Sequence, residues 1–207
     1  MKQDLTEIVA ILDKSGSMSP LTDDTIGGYN EFIEEQKKLQ GEAVLTTVFF
    51  NHEYQLVHNG KDIKKIKKIT RKDYTAGGNT ALLDALGKTI NDIVLKLHNT
   101  QEESRPGKVI FFIITDGYEN SSKEFSQEKI REMVELQKST YNWEFIFMGA
   151  NIDAFSTAGA IGISQDRAFN YSVQHISNAQ KAMSVAVKNF RKTGNVDKGE
   201  DFRKEIE

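Results

Sequence analysis

Asp13, Ser15 and Ser17 stand at alternate positions in the stretch Asp13-Lys14-Ser15-Gly16-Ser17, directly after the apolar run Ile8-Val9-Ala10-Ile11-Leu12. One carboxylate and two hydroxyls therefore fall just past the end of a buried strand, the edge where open α/β sheets build their ligand sites. Hard oxygen donors of this kind suit Mg²⁺, Mn²⁺ or Ca²⁺ and not zinc or copper. Taken alone, the five residues read better as a polar strand-to-helix turn with Asp and Ser as turn and N-cap residues. Thr115-Asp116-Gly117 closes a second apolar run, Val109 to Ile114, and Thr80 ends the loop Gly77-Gly78-Asn79-Thr80 at the start of a helix. Whether Asp13, Ser15, Ser17, Thr80 and Asp116 form one site depends on the elements that carry them.

Those elements alternate along the chain. Strands are expected at 6–12, 44–50, 53–58, 109–114, 143–148 and 168–171, and helices at 23–39, from 82 to about 97, at 126–139, 154–160 and 175–191. The helices are read from apolar residues at helical spacing, such as Leu82, Leu86, Ile90, Ile93 and Leu97. The tight Asn51-His52 connection makes the second and third strands a hairpin. Gly27-Gly28 near the start of the first helix points to a close approach by the sheet or a loop. Strand–helix alternation predicts a mostly parallel sheet with helices on both faces. The near-continuous apolar runs before Asp13, Asp116 and Gly149 belong at its centre. Loops after neighbouring central strands share one edge, so Asp13, Ser15, Ser17 and Asp116 are expected to meet there, with Thr80 arriving beside them. Two carboxylates and three hydroxyls balance a divalent cation and leave room in its coordination shell for an oxygen from a partner.

These residues resemble a known motif. Asp13-x-Ser15-x-Ser17, Thr80 in its Gly-Gly-x-Thr loop and Thr115-Asp116-Gly117 are similar, in order and in context, to the metal-ion-dependent adhesion site of von Willebrand factor type A domains. The resemblance runs from Thr6 to about Arg191, and Phe147 to Phe155 looks most like stand-alone bacterial and phage members. It implies a Rossmann-like, doubly wound sheet of six strands with one antiparallel edge strand. It also implies Mg²⁺ (or Mn²⁺ or Ca²⁺) ligated directly by Ser15, Ser17 and Thr80, with Asp13 and Asp116 holding it directly or through water. The last ligand would be an Asp or Glu carboxylate of a protein partner, so the chain is expected to be a binding module and not an enzyme.

Length and composition fit that expectation. The chain has 207 residues, a hydrophobic fraction of 38%, a charged fraction of 28% and a formal net charge of −3. It is read as one domain, 1–191, followed by a charged, frayed tail, 192–207. The net charge does not call for nucleic acid or a membrane as partner. The basic stretch from Lys61 to Lys72 interleaves Ile63, Ile66 and Ile69 and reads as lysines guarding a sheet edge or a solvated short helix. There is no cysteine, hence neither disulfide nor thiolate metal site. With no apolar leader and no run near the roughly 20 residues a membrane helix needs, a cytoplasmic location is expected. The alternative is a metal-assisted hydrolase or phosphatase using the Asp13 loop. It would want a second acid two residues on, where Ser15 stands, or a histidine near Ser15 or Ser17. His52, His58, His98 and His175 are assigned instead to a turn, a strand end, a helix end and a helix start. Tyr74, Tyr118, Glu119 and Asn120 are candidates for the rim of the binding face, and equally for solvated loop residues.

Overall fold

The computed structural model describes residues 1–150, 152–171, 176–199 and 201–205. Its strands are β1 (Lys2–Asp13), β2 (Glu42–Phe50), β3 (Tyr54–Asp62), β4 (Pro106–Thr115), β5 (Glu144–Gly149) and β6 (Ala168–Asn170). They form one six-stranded sheet in the order β3-β2-β1-β4-β5-β6. All pairs are parallel except β2 with β3, the hairpin, so the antiparallel strand lies at an edge. β1 and β4 sit side by side in the middle, with Leu12 opposite Ile114. β1 begins earlier than its apolar run because pairing continues to Lys2 opposite Pro106.

The helices are α1 (Thr22–Lys38), α2 (Leu82–His98), α3 (Gln127–Tyr141), α4 (Ala154–Ala160) and α5 (Ile176–Thr193). The expected start of the last helix at His175 lies outside the described residues. Because strand side chains alternate, each central strand feeds two cores. Ile8, Ala10, Leu12, Ile110, Phe112 and Ile114 pack with α1 and α5. Val9, Ile11, Val109, Phe111 and Ile113 pack with α2, α3 and α4. Burial on both faces is why these strands read as unbroken apolar runs. Among the described residues no helix is long and apolar enough to cross a membrane.

Three details differ from the sequence expectation. Gly28 does serve a close approach, but to α5: a Cβ there would lie 1.1 Å from Gln180 Oε1. The basic stretch begins in β3, forms a single 3-10 turn, Ile63–Lys65, and continues without regular structure to a turn at 71–73. Ile63, Ile66 and Ile69 are buried and the lysines between them are exposed, as a period of three requires. The frayed tail is corrected. Val196 and Phe202 are fully buried. Phe202 meets Phe169 edge-on at 5.2 Å, and Asp197 pairs with Arg167 at 2.6 Å and Arg203 at 2.8 Å. Two apolar side chains set among charges are enough to dock a segment whose average composition reads as solvated.

Candidate metal centre

Asp13 is the last residue of β1, and its Oδ1 accepts the Ser15 backbone N–H at 2.6 Å, an Asx turn that swings the chain out of the sheet. Ser15 stays extended, with φ −64° and ψ 172°, before the 3-10 turn Gly16–Leu21. This loop is tied to the glycine loop in both directions: Gly16 N–H donates to Gly78 O at 2.9 Å, and Gly77 N–H donates to Lys14 O at 2.8 Å. Gly78 carries φ +78°, and a Cβ on it would lie 2.2 Å from His52 Nδ1, so only glycine lets the loops close. Thr80 follows, braced by Asn120: its N–H donates to Asn120 Oδ1 at 3.0 Å, and Asn120 N–H returns a bond to Thr80 O at 3.0 Å.

The five candidate residues converge as expected. Ser15 Oγ and Ser17 Oγ are 3.1 Å apart, and Ser17 Oγ donates to Asp116 Oδ1 at 2.5 Å. Gly117 marks the centre: a Cβ built on it would be 2.9 Å from Thr80 Oγ1, 3.3 Å from Ser17 Oγ and 3.7 Å from Ser15 Oγ. Three hydroxyl oxygens from two loops thus surround one small space. Asp13 supports them from below, accepting a second bond at 2.6 Å from Thr115 Oγ1. Its backbone carbonyl accepts a short bond from the Tyr74 hydroxyl.

Both carboxylates are electrostatically expensive. Burial pushes Asp13 up to about 6, against the bonds from Thr115 and Ser15, and the nearby Asp116 charge adds to the rise. Burial also raises Asp116, opposed by the Ser17 hydrogen bond. Among the described residues, no lysine or arginine forms an ion pair with either group, and none stands among the main influences on its titration. Two buried carboxylates without such a pair favour a cation between them. The donor set of hydroxyl and carboxylate oxygens, and the space at Gly117, fit a small hard divalent ion. Among the described residues no cluster of three or more His, Asp or Glu offers a different kind of metal site.

Sequence reasoning missed the supports. Thr115 belongs to the Thr-Asp-Gly motif and Asn120 is a rim candidate, but their bracing roles, and that of Asn51, whose Nδ2 donates to Gly77 O at 2.6 Å, fall on residues distant in the chain and have no local signal. Tyr74 is wholly buried and belongs to the floor, not the rim. Glu119 caps α2, accepting from Leu83 N–H at 3.0 Å. Of the rim candidates only Tyr118 is a free surface aromatic, 61% exposed. His52 lies against Gly78 and so adjoins the site, whereas His58 packs on Tyr29 and His98 ends α2. His175 lies outside the described residues. A cleft of about 330 Å³ opens beside Thr80, between His52, Asn79, Asp84, Lys88 and Lys123.

No family model matches the chain, and no curated protein matches it in sequence. Its fold, however, recurs in solved structures. The vWF domain of the type V pili tip protein Mfa5 from Porphyromonas gingivalis aligns over 94% of this chain and 97% of its own, with a TM-score of 0.64 and 11% identity. The ArnB paralog VWA2 from Sulfolobus acidocaldarius aligns over 87% of this chain and 44% of its own, at TM-score 0.57 and 14% identity. The proximal thread matrix protein 1 of the mussel byssus, in a structure with a zinc-occupied MIDAS motif, aligns over 86% of this chain and 44% of its own, at TM-score 0.58 and 15% identity. The chain spans less than half the length of the last two. Sheet order, the antiparallel edge strand, the helical layers and these alignments together identify the fold as that of a von Willebrand factor type A domain.

Proposed function

We propose that this chain is a metal-dependent protein-interaction module, in which Ser15, Ser17 and Thr80 ligate a divalent cation and Asp13 and Asp116 hold it directly or through water. The observation that carries the reading is the set of three hydroxyls around one space, backed by two buried carboxylates that make no ion pair among the described residues. Hard oxygen donors favour Mg²⁺ or Mn²⁺ over softer ions. When bound, the cation would supply an electrophilic position that accepts a carboxylate oxygen from an Asp or Glu of another protein. This chain's residues then orient and partly neutralise it. Matrix and pilus proteins among the fold neighbours support an interaction role in kind. A cytoplasmic location belongs to the same proposal, as does a single domain that runs past residue 191 to include the docked C-terminal segment.

The test is thermal melting with a Mn²⁺ or Mg²⁺ titration. A ligand that binds only the folded state raises the melting temperature by mass action, and Asp13→Ala should abolish the rise. An unchanged melting temperature in the wild type would sink the proposal. Turnover of a generic phosphate ester that needs Mn²⁺ and disappears in Asp13→Ala would replace it with the hydrolase reading. Capture of a protein from source lysate, lost on adding EDTA, would identify the partner.

A further inference from the structure

Tyr171 follows β6, and its backbone N–H is held by Gly149 O at 3.0 Å, two strands away from β4. The side chain is 6% exposed and belongs to the same buried cluster as Met18, Leu21 and Tyr74. Its hydroxyl is buried and has no hydrogen-bond partner. A buried phenol left in that state is rare, because the lost solvation is not recovered. Tyr74 offers a contrast: equally buried, it spends its hydroxyl on the Asp13 carbonyl.

The Tyr171 hydroxyl also sits in the field of both carboxylates, Asp116 more strongly than Asp13. Burial and those two negative charges hold the phenol protonated, so it can only be a donor toward them. Among the described residues, the side-chain bond made to Asp116 comes from Ser17 on Oδ1, and Oδ2 accepts none. Register sets Thr115 opposite Gly149 and Gly149 opposite Asn170, so Asp116 and Tyr171 each come next at the same edge of the sheet, one with an unspent acceptor and the other with an unspent donor.

We propose that Tyr171 is a positioning residue of the cation site, whose hydroxyl donates, directly or through one water, to the Asp116 carboxylate when that group engages the cation. This rests on the cation reading given above and adds a residue to it from a strand that carries no ligand. Outer groups that fix a ligand's orientation commonly change metal affinity by about 10- to 100-fold when removed.

Tyr171→Phe deletes the hydroxyl and keeps the ring. The experiment measures Mn²⁺ affinity by calorimetry, and melting with and without Mn²⁺, for the wild type and this variant. Expected are an unchanged or higher melting temperature without cation, an affinity loss of about tenfold, and a smaller cation-induced rise. Tyr29→Phe, a buried phenol bonded to Thr47 and away from the cation site, runs alongside as the control, and because the increment on adding Mn²⁺ is what is read, a shift in the baseline does not obscure it. If Tyr171→Phe binds Mn²⁺ like the wild type and gains the same increment, Tyr171 is only a core residue and the inference falls, while the cation reading stands. If the wild type itself gains nothing, both fall.

Discussion

Thr115 Oγ1 donates to Asp13 Oδ2 at 2.6 Å, joining the ends of the two central strands β1 and β4. The bond matters because Asp13 is fully buried and pairs with no cationic side chain among the described residues. Thr115→Val keeps the shape and removes the donor. It should cost about 1–3 kcal/mol in urea unfolding and push Asp13 further above its already raised value, weakening Mn²⁺ binding. Equal stability and equal affinity would mean the bond is incidental.

The raised value of Asp13 has a definite sign. The folded chain holds this proton up to about 6, whereas the free carboxyl releases it near 3.8. Stability from this group is therefore greatest below 3.8 and is lost as pH rises to about 6. The loss is about 3 kcal/mol in the absence of cation. Asp13→Asn cannot titrate, so the wild-type-minus-variant difference in unfolding free energy should fall across that window and stay level above it. A divalent cation competes with the same proton. Its affinity should drop about tenfold per pH unit below 6, which calorimetry at several pH values would measure.

Gly117 has no room for a side chain in front of the hydroxyls. The Cβ of Gly117→Ala would come within 2.9 Å of Thr80 Oγ1, displacing the threonine or filling the space meant for the ion. The expected outcome is a folded protein by circular dichroism with its Mn²⁺-induced rise in melting temperature abolished. Retention of that rise would put the cation elsewhere.

The C-terminal segment is part of the folded unit. Phe202→Ala should lower stability by about 3–5 kcal/mol, the usual cost of emptying a buried aromatic site. Loss of the Phe169 contact at 5.2 Å accounts for part of it. A change near zero in denaturant unfolding would restore the frayed tail.

Residue types and their order carried the sheet class, the identity of the central strands and the five candidate residues. The reason is physical: a strand buried on both faces must be apolar throughout, and polar residues at its tip have nowhere to lie except the sheet edge. Asp13, Ser15, Ser17 and Asp116 were legible for that reason, and Thr80 from its Gly-Gly-x-Thr loop at the start of a helix. Only the tertiary structure decided what holds them. Thr115 serves Asp13 across 102 positions of chain, Asn120 braces Thr80 across 40, and Tyr74 lies in the floor. Such partnerships are set by strand register and loop closure, which bring distant backbone together without leaving a local pattern. The tail follows the same logic: Val196 and Phe202 look like stray apolar residues until β6 and α5 supply the surface they cover.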